Sequence, residues 1–163
     1  MKNIILLVLL FSVWACNAPK KEKAQAAASE PTKIPIAIES FYQAFNTGDT
    51  TAFLNVAAPD FTDKMQEVPS ADGGKGGVVF AIKAFRTGFP DLKIEIEKIW
   101  RDGNSYVCKT RISGHNTGNL FGMPATQKSV SFSAMDAFEI ANDKIVKLWH
   151  IEQLDKMKQQ LAN

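Results

Sequence analysis

Lys128-Ser129-Val130-Ser131-Phe132-Ser133-Ala134-Met135-Asp136-Ala137-Phe138-Glu139-Ile140, then Ala141-Asn142-Asp143, then Lys144-Ile145-Val146-Lys147-Leu148-Trp149-His150-Ile151-Glu152, reads as two strands joined by a turn. Register decides which side chains share a face, because a slip of one residue turns a whole strand over. A three-residue loop at Ala141, Asn142 and Asp143 pairs Ile140 with Lys144, Phe138 with Val146, Asp136 with Leu148 and Ala134 with His150. One face then carries Ala134, Asp136, Phe138, Val146, Leu148 and His150, apolar except for Asp136 and His150. A two-residue Asn142-Asp143 loop sets Lys147 beside Phe138 and turns His150 away, so the three-residue loop is the expectation. Asp136 and His150 then stand diagonally, ~7–8 Å apart at the backbone and within side-chain reach.

Upstream, Ile94, Ile96 and Trp100 alternate among charges, Asp102-Gly103 reads as a turn, and Tyr106 to Ile112 as the returning strand. Before Pro90 the period is helical. Ile38, Phe41, Tyr42 and Phe45 mark one face of a helix from Pro35 to Phe45, ended by Asn46-Thr47-Gly48. Asp49 or Thr50 caps a short second helix through Val56, and Pro59-Asp60-Phe61 reads as a turn. A third helix carries Val79, Ile82, Phe85 and Phe89 behind Gly73-Gly74-Lys75-Gly76-Gly77, a cluster without the spacing or the Lys-Ser/Thr ending of a phosphate-binding loop. Helices first and antiparallel strands after give an α+β fold, with a curved antiparallel sheet rolled around the helices and an apolar pocket between them.

The N-terminus has a different character. Lys2, an apolar run from Ile4 to Trp14, Ala15 and then Cys16 have the parts of an export signal in order, and the run is shorter than the ~20 residues of a membrane span. Val13-Trp14-Ala15-Cys16 resembles the lipobox of bacterial lipoproteins. That resemblance implies removal of residues 1–15 and acylation of Cys16, with palmitate among its chains, each buried methylene contributing ~0.8 kcal/mol of membrane affinity. Residues 16–31 lack large apolar side chains after Cys16 and read as a tether, leaving 32–163 as one domain. The expected location is the cell envelope, lipid-anchored on the periplasmic or the outer membrane side. Of 19 basic and 17 acidic residues, Lys2, Lys20, Lys21, Lys23, Glu22 and Glu30 precede residue 32, so the domain carries 15 of each and no footprint for nucleic acid. With Cys16 acylated, Cys108 is the one thiol remaining and no intramolecular disulfide forms.

Phe41-Tyr42-Gln43-Ala44-Phe45-Asn46-Thr47-Gly48-Asp49, Ala58-Pro59-Asp60-Phe61, Phe89-Pro90-Asp91-Leu92, Gly122-Met123-Pro124-Ala125-Thr126 and Asp143-Lys144-Ile145-Val146 with Trp149 follow one another in an order similar to the SnoaL-like polyketide cyclases, also catalogued as ester cyclases. The resemblance covers about residues 36 to 161 and implies the cone shared with nuclear transport factor 2 and ketosteroid isomerase. It also implies a three-residue turn at 141–143 and a homodimer, for which Met135 and Trp149 offer an outer apolar surface. In the cyclases an aspartate on the last strand, preceded two residues earlier by a histidine, is the acid/base of an aldol ring closure. Here His150 stands at the aspartate position and Leu148 at the histidine position, while Asp136 matches a position that carries Asp or His in the family.

The resulting expectation is a cofactor-independent cyclase or isomerase of a small carbonyl compound, with His150 as general base oriented by Asp136 and with neither metal nor nucleotide. The same pair reads equally as a buried polar pair that satisfies itself. The protein is then a non-catalytic module holding a hydrophobic small molecule or a partner at the envelope, where polyketide intermediates are seldom found. Phe41, Tyr42, Trp100, Phe121, Met123 and Leu148 are candidate pocket wall or core. His115 matches a histidine frequent in the family and belongs either at the pocket mouth or in a turn. Cys108 has no basic neighbour to make it a thiolate, and Ser131 and Ser133 lack the glycine frame of a nucleophile turn.

Overall fold

The computed structural model describes residues 33–65 and 73–162. Residues 1–31, on which the expected signal, the lipid attachment at Cys16 and the tether fall, lie outside the described residues. The domain runs α1 (Ile36–Thr47), α2 (Thr50–Leu54), β1 (Ala57–Asp63), α3 (Lys75–Gly88), β2 (Lys93–Asp102), β3 (Ser105–His115), β4 (Ser129–Ala141), β5 (Lys144–Glu152) and α4 (Leu154–Ala162). The five strands form one sheet in the order β1-β5-β4-β3-β2.

Helix α1 ends because Gly48 adopts φ 82°, a left-handed conformation that glycine takes at little cost, and donates its N–H to the Ala44 carbonyl. Asp49 then caps α2 by accepting from Thr51 N at 2.9 Å. The apolar stripe of α1 lies on the sheet. The Phe41 ring meets Phe138 edge-on at 5.2 Å and Phe53 at 5.9 Å, within the range where aromatic pairs attract. Asn46 fixes the angle of the helix by bonding Ile94 twice, Nδ2–H to its carbonyl at 3.0 Å and Oδ1 from its N–H at 2.7 Å. A second apolar cluster, with Phe89, Phe132, Met157 and Leu161, fills the other end under α4.

Three features depart from the sequence expectation. Pro59-Asp60-Phe61 is not a turn but part of β1, which pairs parallel to β5, so the sheet is mixed rather than wholly antiparallel. Its register is irregular between Ala57 and Thr62, at a sheet edge where proline is tolerated. Strand β2 slips register between Ile96 and Lys98, so Ile99 continues the inner face and Trp100 turns outward. The β4–β5 loop is the two-residue Asn142-Asp143, with φ 50° and 58°, matching the primed turns that suit strand twist. A bulge after Ile145 then absorbs Val146, giving Glu139 opposite Lys147, Phe138 opposite Leu148 and Asp136 opposite His150. Asp136 and His150 are direct cross-strand neighbours, not diagonal ones.

Helix α4, absent from the sequence reading, completes the edge of β4 beyond the last residue of β5. Gln160 accepts from Ser131 N at 2.7 Å and donates to Ser131 O at 3.0 Å, standing in for a further strand. Buried Asn116 does similar work at the end of β3. Its Nδ2 donates to Gly88 O and Gly118 O at 3.1 and 2.9 Å, and its Oδ1 accepts from Thr126 N at 2.8 Å. Asn116→Ala strips these bonds inside the protein, and the expected loss is about 3 kcal/mol, measured as a lower urea midpoint.

Candidate functional site

Between α1, α3 and the concave sheet face lies a cavity of ≈ 260 Å³. Its apolar wall comes from Phe41, Phe45, Val78, Ile94 and Leu148 among others, and its polar residues are Tyr42, Asp63, Thr110, Asp136, His150 and Glu152. Cross-strand register explains why the polar groups converge. Cys108, Asp136 and His150 lie in one row across β3, β4 and β5, and Thr110, Ala134 and Glu152 in the next. Asp63 enters from β1, opposite Leu148.

The direct Asp136–His150 hydrogen bond expected from the sequence is replaced by other partners. Tyr42 donates its hydroxyl to Asp136 Oδ2 at 2.7 Å, from 94 residues away. His150 Nδ1 lies 2.8 Å from Glu152 Oε1, and its Nε2 lies 3.3 Å from Asp63 Oδ2. Two carboxylates that favour the imidazolium hold His150 up to about 10, so at neutral pH it is a cation with no lone pair to accept a proton. Asp136 is 6% exposed, and burial pushes its carboxyl up to about 7, opposed by the Tyr42 hydrogen bond and the His150 charge and assisted by the Glu152 charge. Burial and the neighbouring Asp136 also push the Tyr42 hydroxyl well above its ordinary range, so it remains a donor.

Of the residues expected at the site, Phe41, Tyr42, Asp136, Leu148 and His150 line the cavity. Trp100 lies on the outer face with Lys98 Nζ 4.8 Å from its ring centre, because of the β2 bulge. Phe121 and Met123 are 47% and 39% exposed on the loop after β3, where Phe121 packs against Phe80 and Phe85. His115 is the last residue of β3 and is not among the residues lining the cavity; its backbone N–H and ring Nδ1 bond the Asp91 carboxylate, not a turn backbone, at 2.7 and 2.6 Å. Cys108 is fully buried and does not line the cavity, and burial pushes its thiol up to about 12. Trp100→Ala is accordingly expected to leave small-molecule affinity within twofold of the parent by calorimetry, a contact on the outer face adding nothing at the cavity.

The sequence reading missed Asp63, Glu152 and Thr110. Glu152 and Thr110 were reachable by alternation, lying two residues from His150 and Cys108 on the same strand face. Asp63 was hidden because β1 was not recognised as a strand. Among the described residues no group of three or more His, Cys, Asp or Glu side chains is arranged to hold a metal ion.

The sequence pattern of SnoaL-like polyketide cyclases matches residues 36–161. No curated protein matches the chain. Among solved structures, TsrD from Streptomyces laurentii is similar at a TM-score of 0.68 and 24% identity, over 77% of this chain and 92% of that one. A candidate polyketide cyclase from Bacillus cereus is similar at 0.65 and 25% identity, over 77% and 78% of the two chains. IdmH from Streptomyces antibioticus, also a candidate polyketide cyclase, is similar at 0.65 and 22%, over 78% and 96%. These likenesses extend over helices and sheet together and identify the nuclear transport factor 2-like cone.

Proposed function

Because the chain belongs to the SnoaL-like polyketide cyclase family, we propose that its cavity carries out cofactor-independent acid/base chemistry on a small enolisable carbonyl compound, with Asp136 as the group that moves the proton. The observation that carries this reading is the Asp136 carboxyl, buried at the cavity wall and held near 7, where it exists in both forms at neutral pH. The acid/base role then sits on β4, directly across from the family position that His150 occupies.

The ionised Asp136 takes a proton from the carbon beside the carbonyl. The C–H electron pair becomes the carbon–carbon π bond of an enolate, and the carbonyl π pair moves onto oxygen. Where a carbon–carbon double bond adjoins that carbon, the enolate extends over it, and returning the proton at the far end shifts the double bond into conjugation and completes an isomerisation. Attack of the enolate carbon on a second carbonyl of the same molecule closes a ring instead, and the proton passes from Asp136 to the new alkoxide. His150 serves as a fixed positive charge toward the enolate, not as the base assigned to it from sequence. Its Nε2–H is the donor that a developing oxyanion draws off, because the 3.3 Å contact to Asp63 is longer than an ordinary N–H···O bond.

The test is deuterium exchange into α-tetralone, an enolisable two-ring ketone, followed by NMR with the purified full chain. Exchange faster than buffer, and lost in Asp136→Asn, supports the reading; equal rates with and without protein sink it. A second reading is a non-catalytic carrier for a hydrophobic small molecule at the cell envelope, anchored through Cys16. It draws support from the partners that Asp136 Oδ2 and both His150 nitrogens already have within the protein. Ligand that co-purifies with the protein and survives His150→Ala, without any exchange activity in the parent, favours the carrier.

A further inference from the structure

Thr110 sits mid-strand on β3, fully buried, and its hydroxyl has no hydrogen-bond partner among the described residues. Buried polar groups nearly always find one, and leaving one unmade costs stability that a valine of similar size does not lose. Local structure cannot supply the partner. Strand β3 is paired on both sides, and the residues opposite Thr110 are Ile96 and Ala134, neither of which has a polar side chain. The side that remains is the cavity, which Thr110 lines.

Register relates this hydroxyl to the proposed acid/base group. Ala134 is opposite Thr110 and Asp136 lies two residues along β4, a diagonal of ~7–8 Å at the backbone. A carbonyl oxygen held by Thr110 therefore brings the adjacent carbon toward Asp136. Charge narrows the ligand further. Asp63, Asp136 and Glu152 line the cavity, and His150 is the one basic side chain among the described lining residues, so an anionic ligand meets net repulsion. Volume narrows it again, ≈ 260 Å³ being below the ~300–1,000 Å³ of sites for drug-sized molecules.

We propose that the Thr110 hydroxyl is the anchoring donor for a ligand oxygen, and that the cavity takes a small uncharged carbonyl compound of one or two rings. The identity of that oxygen as the reacting carbonyl rests on the acid/base reading; the anchoring role does not.

Binding of α-tetralone and of tetralin, the same frame without the oxygen, is measured by calorimetry for the full chain, for Thr110→Val and for Thr110→Ser. Thr110→Val is expected to melt a few degrees higher without ligand, to bind α-tetralone about three- to tenfold more weakly, and to bind tetralin at least as well as the parent. Thr110→Ser is expected to retain α-tetralone. Equal weakening toward both probes, unchanged α-tetralone affinity in Thr110→Val, tighter binding of naphthoate than of α-tetralone by the parent, or no α-tetralone binding up to its solubility overturns the proposal. Oxygen-dependent discrimination without any proton exchange sinks the acid/base reading and leaves Thr110 as the anchor. Exchange without discrimination does the reverse.

Discussion

Asp136→Asn is expected to lower α-proton exchange by 10²–10⁴-fold, on the order of what a positioned general base contributes, while making the folded protein more stable above neutral pH. The two effects have one cause. Asparagine keeps the size of the side chain and an oxygen that can accept from Tyr42 Oη, now at 2.7 Å from the carboxylate. It has no carboxylate to take up a proton and no charge to bury. A carboxyl whose ordinary value is 3.8 and which burial holds near 7 disfavours the folded state, once ionised, by up to about 4 kcal/mol. The new amide N–H groups take back part of this where they lack acceptors, so the expected net gain at pH 8 is about 1–3 kcal/mol. At pH 3 the wild-type carboxyl is largely protonated in both states and the advantage disappears. Urea melts of both proteins at pH 3 and pH 8 provide the check. A variant that is inactive but equally destabilised at both pH values has lost structure, and the assignment of Asp136 goes with it.

Such a trade between stability and activity is expected where a group is positioned for chemistry rather than for packing. It also explains which parts of this site were legible in sequence. Spacing alone was enough for α1, because Ile38, Phe41, Tyr42 and Phe45 repeat along one helical face. Alternation was likewise enough for β3, where Tyr106, Cys108 and Ile112 are buried as the period of two requires. Alternation failed wherever a strand carried an extra residue. The slip between Ile96 and Lys98 moved Trp100 out of the pocket, and the bulge at Val146 moved His150 from the diagonal of Asp136 to its opposite number. A bulge leaves no compositional mark, so counting from a turn accumulates the error. The Tyr42–Asp136 bond was beyond sequence reasoning for another reason. Each residue could be placed on an apolar face, but the angle at which α1 crosses the sheet selects which helix residue reaches which strand residue. That angle depends on contacts such as Asn46 with Ile94, which no local pattern announces.

The pH profile should therefore separate activity from stability. Proton removal needs Asp136 ionised and His150 charged, so exchange activity is expected to rise about tenfold per pH unit on the acid side, level off above about 7, and fall again only above about 10. Stability runs the other way. Both groups have folded values above their ordinary ones, so the fold binds their protons more tightly than the unfolded chain does. The Asp136 contribution is complete below 3.8 and is lost as pH rises through about 7; that of His150 is complete below 6.5 and is lost as pH rises through about 10. Between pH 5 and 7 the protein should gain activity while its denaturation midpoint falls. The groups acting on Asp136 make the test specific. Tyr42 and His150 hold its value down, whereas Glu152 and burial hold it up. Removing the cation in His150→Gln should thus shift the acid limb of the activity profile to higher pH and remove the fall near 10, with apparent values that belong to the coupled site. Glu152→Gln removes a repelling charge from Asp136, but it also weakens the hold on the imidazolium, so its limb should move less. An acid limb unmoved by His150→Gln would mean that the carboxyl across the strand from it is not the group that carries the proton.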